Sequence, residues 1–171
     1  LTAQIHQAKG KYDDAIGSFL NAIPLLRETG DLPRVASANE RLAEIYVQQG
    51  RDDDARDAIE QSLNTNEQLR VPIRLAESKI HEALYHVAMS DISAAENVLR
   101  TVDETLSNLE GGRVLILLHL VKGKIHRQRG ALDASTAALA SARDLARRSG
   151  YLLLEQRARV ELSRTLMETG E

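Results

Sequence analysis

Small and large apolar residues recur along this chain on a fixed beat. Ala15, Ala55, Ala95 and Ser135 are each followed four residues later by Phe19, Ile59, Leu99 and Leu139. That i, i+4 spacing places both members of each pair on one face of a helix. Gly10, Gly50, Gly130 and Gly170 obey a period of 40 residues, and Ser90 stands at the one place where the period demands a glycine and none is present. Seven residues before each of these points comes a small residue, Ala3, Ala43, Ala83, Gly123 or Ser163, where two helices must approach closely. A second set of breaks lies at Gly30-Asp31-Leu32-Pro33, Val71-Pro72, Gly111-Gly112 and Ser149-Gly150, all residues that stop or start helices. The pattern predicts helices over 1–9, 12–29, 34–49, 52–70, 73–89, 92–109, 113–129, 132–148 and 151–168, with Pro24 kinking the second because proline removes a backbone donor.

A period of this length marks a repeat array, in which each unit buries its apolar face on its neighbours. Each unit reads as helix A, a turn, then helix B. The expected units are 1–30, 31–70, 71–110, 111–150 and a partial 151–171, together forming one repeat domain over residues 1–171. The first residue is Leu1, and Leu152 to Glu171 reads as a helix A without its helix B. The chain is therefore expected to be a fragment of a longer one, with exposed repeat ends through which copies could form a homo-oligomer.

Composition agrees with an all-α fold. Aromatic residues make up 3% of the chain, and there are only three prolines. Cysteine is absent, which excludes disulfides and thiolate metal sites and makes a cytoplasmic location the default. The longest apolar run, Val114 to Val121 with His119 inside it, is far short of the roughly 20 residues of a membrane helix, so no membrane partner is expected.

The small residue, Tyr46 three positions after it, the glycine, and the alanine and phenylalanine at fixed offsets together resemble the tetratricopeptide repeat. The resemblance spans the whole chain. It departs from the family pattern just before the small residue, where Leu42 and Leu162 are replaced by Glu82 and Lys122 in the middle repeats. The long period is similar to that of repeats in kinesin light chains, peptide-pheromone receptors and large ATP-dependent transcription activators. The resemblance implies an α-solenoid, a right-handed superhelix of about four helix-turn-helix repeats, whose A helices line a concave groove that binds a protein or peptide, or another domain of the parent chain.

Carried across repeat by repeat, the family's groove positions fall on Glu40, Arg41 and Glu44, then on Glu77, Ile80, His81 and Leu84. They continue through Leu117, Leu120, Val121, Lys124 and Arg127 to Arg157 and Arg164. On this reading an apolar centre is flanked by charge, suited to an amphipathic helix or an extended peptide. The alternative is that the middle A helices are rotated so that Ile80, Leu84 and Leu120 enter the core. The asparagine of the family's carboxylate clamp is missing from these positions, which argues against chaperone-tail binding.

No catalytic constellation, metal site or cofactor motif is expected. His81 and His86 are five residues apart, about 140° around a helix, whereas histidines that chelate one metal from a helix stand four apart. His6, His86 and His126 occupy the Tyr46 position and read as a packing slot. Asp52, Asp53 and Asp54 read as acids at a helix start, where they complement the dipole and cap free amides. Residues 1–112 carry 11 basic and 19 acidic side chains, and residues 113–164 carry 11 basic and 4 acidic. This polarity can steer an acidic partner, but the basic residues are spread over helices with no nucleic-acid reading motif. The expected function is a protein–protein interaction scaffold, and the alternative is a ligand- or peptide-sensing arm of a larger signalling or transcription regulator.

Overall fold

The computed structural model describes residues 10–106 and 112–169 of the chain. Among the described residues there are eight helices and no strand: α1 (Tyr12–Glu28), α2 (Leu32–Gln48), α3 (Asp52–Leu69), α4 (Pro72–Ala88), α5 (Ile92–Leu106), α6 (Gly112–Gln128), α7 (Leu132–Arg148) and α8 (Leu152–Thr169). These match the helices read from the sequence to within two residues at each end, apart from residues 107–109 of the helix expected over 92–109, which lie outside the described residues. The helix expected over 1–9, the Gly111 half of one break and Gly170 lie outside the described residues. Pro24 lies within α1 without ending it. Pro24 and Leu20, whose carbonyl loses its helical donor, are both exposed, so water can take that bond.

The chain divides into two compact units, one running to His81 and one beginning at Glu82, with α4 contributing to both. In the first unit α2 packs on α1 and on α3. In the second, α7 packs on α6 and α8, with smaller contacts of α6 to α5 and to α8.

The 40-residue beat has a physical cause in the turns. Gly50 lies in the left-handed region at φ 67°. Its N–H bonds Val47 O at 3.1 Å, and Arg51 N–H reaches back to Tyr46 O at 2.9 Å. This pair of bonds closes a helix with the left-handed residue just past its end. The same pair forms at Ser90, where Ser90 N–H meets Val87 O and Asp91 N–H meets His86 O, and again around Gly130. Ser90 adopts φ 61° although it is not glycine, and Arg70, closing α3, adopts φ 52°.

Helix starts follow local chemistry. The Asp31 carboxylate accepts from Arg34 N–H at 3.3 Å and Asp91 accepts from Ala94 N–H at 3.0 Å, satisfying amides that have no partner within the helix. The expectation that Asp52 to Asp54 cap α3 needs correction. The cap position is Arg51, with no side-chain bond to the helix amides, and the three acids fill the first turn. There they complement the helix dipole while Asp53 pairs with Arg56 and Asp54 with Arg51, both at 2.8 Å.

The core is built where the stripes meet. Ala15, Ala55, Ala95 and Ser135 are wholly buried, and Phe19, Ile59, Leu99 and Leu139 pack with them. At Gly123 two helices approach closely, and an added methyl would stand 2.5 Å from Leu139 Cγ. The Ser135 hydroxyl donates to Gly123 O at 2.8 Å and lies 3.0 Å from Thr165 Oγ1, so α6, α7 and α8 share one buried polar contact.

Candidate functional site

Two clusters gather most of the charged residues singled out in the sequence, one in each unit. In the first, Glu40 is buried on α2. Ser78 Oγ on α4 donates to Glu40 Oε1 at 2.9 Å, Ser62 Oγ on α3 lies 3.3 Å from the same oxygen and 2.6 Å from Ser78 Oγ, and Asn66 Nδ2 donates to Ser78 Oγ at 2.7 Å. The His81 ring sits between two carboxylates, with Nε2 3.6 Å from Glu40 Oε2 and Nδ1 3.5 Å from Glu44 Oε1. Neither nitrogen makes a hydrogen bond. Arg41 pairs with Glu44 at 2.9 Å and Arg74 with Glu77 at 3.4 Å.

The two serine hydroxyls turn to the Glu40 carboxylate and to each other, so the buried acid is met by donors from two neighbouring helices. Sequence reasoning picked out Glu40 and His81 but missed Ser62, Asn66 and Ser78. A signal for them exists in the register. One or two repeats later Glu40 becomes Ile80 and Leu120, Ser62 becomes Val102 and Ala142, Asn66 becomes Leu106 and Ala146, and Ser78 becomes Leu118 and Ala158, all of them buried. Four polar residues at positions that are apolar elsewhere, confined to residues 40–78, are the mark of a buried network.

In the second unit, Glu161 is buried on α8 and draws three cations. Lys124 Nζ lies 2.9 Å from it, Arg127 3.1 Å and Arg164 3.2 Å. Burial opposes ionisation of Glu161, but the three cations outweigh it and hold the carboxyl below its usual range. Arg127 also lies 3.7 Å from Glu168. Lys124 and Arg127 keep about a fifth of their side chains exposed and Arg164 more than half. Three cations against two carboxylates leave this surface positive.

The apolar members of the expected groove stand elsewhere. Ile80, Leu117, Leu120 and Val121 are buried, and Leu84 is half-buried. An apolar groove centre open to solvent is therefore corrected, because the middle A helices turn these residues into the core. Lys122 explains how: it stands where Leu42 and Leu162 are buried, and it swings out to pair with Asp103 of α5 at 2.9 Å. Arg157 is half-buried on α8.

The aromatic slot also acquires a definite role. Tyr46, His86 and His126 each supply the carbonyl that accepts the N–H just past the left-handed turn residue. At the first of them, the Arg51 guanidinium covers the Tyr46 ring 4.4 Å from its centroid, a cation–π contact. Burial raises the Tyr46 phenol pKa, with Arg51 opposing it. His6 lies outside the described residues. His86 stands edge-on to Tyr85 at 5.5 Å.

Among the described residues no helix is long and apolar enough to cross a membrane. The class defined by this geometry is an all-helical repeat protein with a common 40-residue register. The tetratricopeptide repeat family model matches residues 2–68, which supports a tetratricopeptide repeat protein. No curated protein matches it. Repeats of this family generally mediate protein–protein interaction, and the fold is typically a non-catalytic scaffold.

Proposed function

We propose that this chain is an interaction scaffold that binds an acidic peptide or partner domain through the first helices of its repeats. Lys124 and Arg127 on α6 and Arg164 on α8 are the charged anchors. The observation that carries this reading is the convergence of these three cations on one buried carboxylate. Glu161 fixes their positions in advance, so a partner carboxylate meets ordered donors and little side-chain entropy is lost on binding. In the first unit, Arg41 and Glu44 on α2 offer a separate, part-exposed charged surface. A second reading, a ligand- or peptide-sensing arm of a larger cytoplasmic signalling or transcription regulator, is supported by the 40-residue period, which is similar to that of such regulators.

Affinity capture from the native lysate tests the proposal, with the chain compared against Lys124→Gln and Arg164→Gln. Arg127 remains in both variants to pair with Glu161, so each should fold. A protein retained by the chain, released by moderate salt and lost with these variants supports the scaffold. Capture unaffected by the variants removes the anchor assignment. No capture, with a small metabolite raising the melting temperature, replaces the scaffold with the sensing arm.

A further inference from the structure

Arg127 faces two carboxylates that hold it unequally. Glu161 is buried, and its Oε2 lies 3.1 Å from Arg127 Nη1. Glu168 keeps 52% of its side chain exposed, and its Oε1 lies 3.7 Å from Arg127 Nε. The second distance is beyond hydrogen-bond range, so Glu168 acts on Arg127 through charge and leaves the Nε–H for a closer acceptor. Glu161 is fixed by burial and shared with Lys124 and Arg164, whereas Glu168 is free to swing into solvent.

The 40-residue register shows how an acid comes to stand there. Glu168 occupies on α8 the position that Gln128 occupies on α6. Gln128 Nε2 donates to Val87 O on α4 at 3.1 Å, and Val87 is in turn the register equivalent of Arg127. A side chain at this place therefore lies against the end of the preceding first helix in both cases. Gln48, Ala88 and Gln128 are uncharged there, and the residues equivalent to Arg127 are Val47 and Val87. The acid appears at the same junction where the residue it faces becomes a cation, and that cation is one of the proposed partner anchors.

We infer that Glu168 is a built-in competitor for the acidic partner. In the free chain its carboxylate stands beside Arg127, and on binding a partner carboxylate displaces it and accepts the Nε–H directly, in the shorter and stronger contact of a charge-assisted hydrogen bond. This inference rests on the scaffold reading above and adds a regulating residue to it. The contact being displaced is long and exposed to water, so it is cheap to break. Glu168 therefore lowers the affinity of the site without closing it.

The probe is a fluorescent poly-glutamate peptide, titrated by anisotropy against the full chain in about 0.1 M salt, where charges more than about 10 Å apart are largely screened. Glu168→Gln should tighten binding about two- to fivefold, the range that an exposed ion pair controls. Asp144→Asn removes the same charge from α7, toward the opposite end of the α6–α7 hairpin, and should change binding much less. Lys124→Gln should weaken binding, as the scaffold reading requires. Circular dichroism of each variant checks folding, which the exposed position of Glu168 should leave intact. Where Lys124→Gln weakens binding but Glu168→Gln gains no more than Asp144→Asn, or loses affinity, the competitor is overturned and the scaffold reading stands. Absence of binding to both the parent chain and Glu168→Gln, or binding indifferent to Lys124→Gln, overturns both together.

Discussion

Replacing Gly123 by alanine sets two effects of opposite sign against each other. In a helix interior the added methyl stabilises by about 1 kcal/mol relative to glycine. Against this, the methyl would stand 2.5 Å from Leu139 Cγ and 2.6 Å from Cδ2, where carbon atoms prefer about 3.5–4.0 Å. Leu139 is wholly buried, so relief requires an unfavourable rotamer or a shift of α7 against α6. Overpacking of this kind costs about 1–3 kcal/mol. The packing cost wins, and a net loss of about 1 kcal/mol is expected, or a fall of about 2–4 °C in melting temperature for a chain of this size. Gly17→Ala is the matched control, because nothing lies within 4 Å of a methyl added there, and it should stabilise by up to about 1 kcal/mol. Urea unfolding followed by circular dichroism measures both. The reasoning is refuted if Gly123→Ala stabilises the chain as Gly17→Ala does. A double-mutant cycle sharpens the test, since in a Leu139→Ala background the collision is gone and Gly123→Ala should become stabilising.

Ser90→Gly should raise stability by about 1 kcal/mol, since only glycine tolerates φ 61° without strain; a thermal melt no higher than that of the parent chain would contradict this. Ser78→Ala should cost about 1–3 kcal/mol by removing the donor nearest to buried Glu40 and the acceptor of Asn66, and chemical denaturation measures it. The His119 pKa is lowered by burial first and by Lys122 second, so the unfolded chain binds this proton more readily. The contribution of neutral His119 is present above the ordinary histidine pKa of about 6.5 and is lost as pH falls from there through the folded value. His119→Gln should flatten the stability profile over that interval, and an unchanged slope would remove the assignment. Glu161 has a lowered pKa, so its contribution is present above the ordinary carboxyl pKa and declines as pH falls through the folded value. Urea midpoints measured across acidic pH, with Glu161→Gln for comparison, should show this second decline only in the parent chain.

Much of the fold was legible because its constraints act within one hairpin. A left-handed turn residue selects glycine, a close helix crossing selects Ala43, Ala83 or Gly123, and the i, i+4 pairs such as Ala55 and Ile59 define a buried face. Each of these requirements operates at a fixed spacing, so it leaves a period. Ser90 was readable even without being glycine, because its position was set by the others. The candidate site was less legible. Whether Leu120 faces solvent or core depends on the rotation of α6, and Lys122 allows the buried orientation by leaving its apolar-type position to meet Asp103 on another helix. The Glu40 network joins residues 12 to 38 positions apart, a convergence that helix periodicity alone does not encode. It becomes visible only when equivalent positions of different repeats are compared.

That network bears on a difficulty peculiar to arrays of similar units, in which any hairpin can mispair with any other during folding. Glu40 on α2, Ser62 and Asn66 on α3 and Ser78 on α4 form a lock spread over three helices. Slippage by one repeat would bring the Glu40 carboxylate against residues such as Val102 and Leu118, which have no hydroxyl to offer, and burying such a charge unmet costs several kcal/mol. An all-apolar seam would accept the wrong neighbour nearly as well as the right one. Here the polar residues give one junction an address, so the order of the hairpins is enforced by the penalty for error as well as by the contacts of the correct stack.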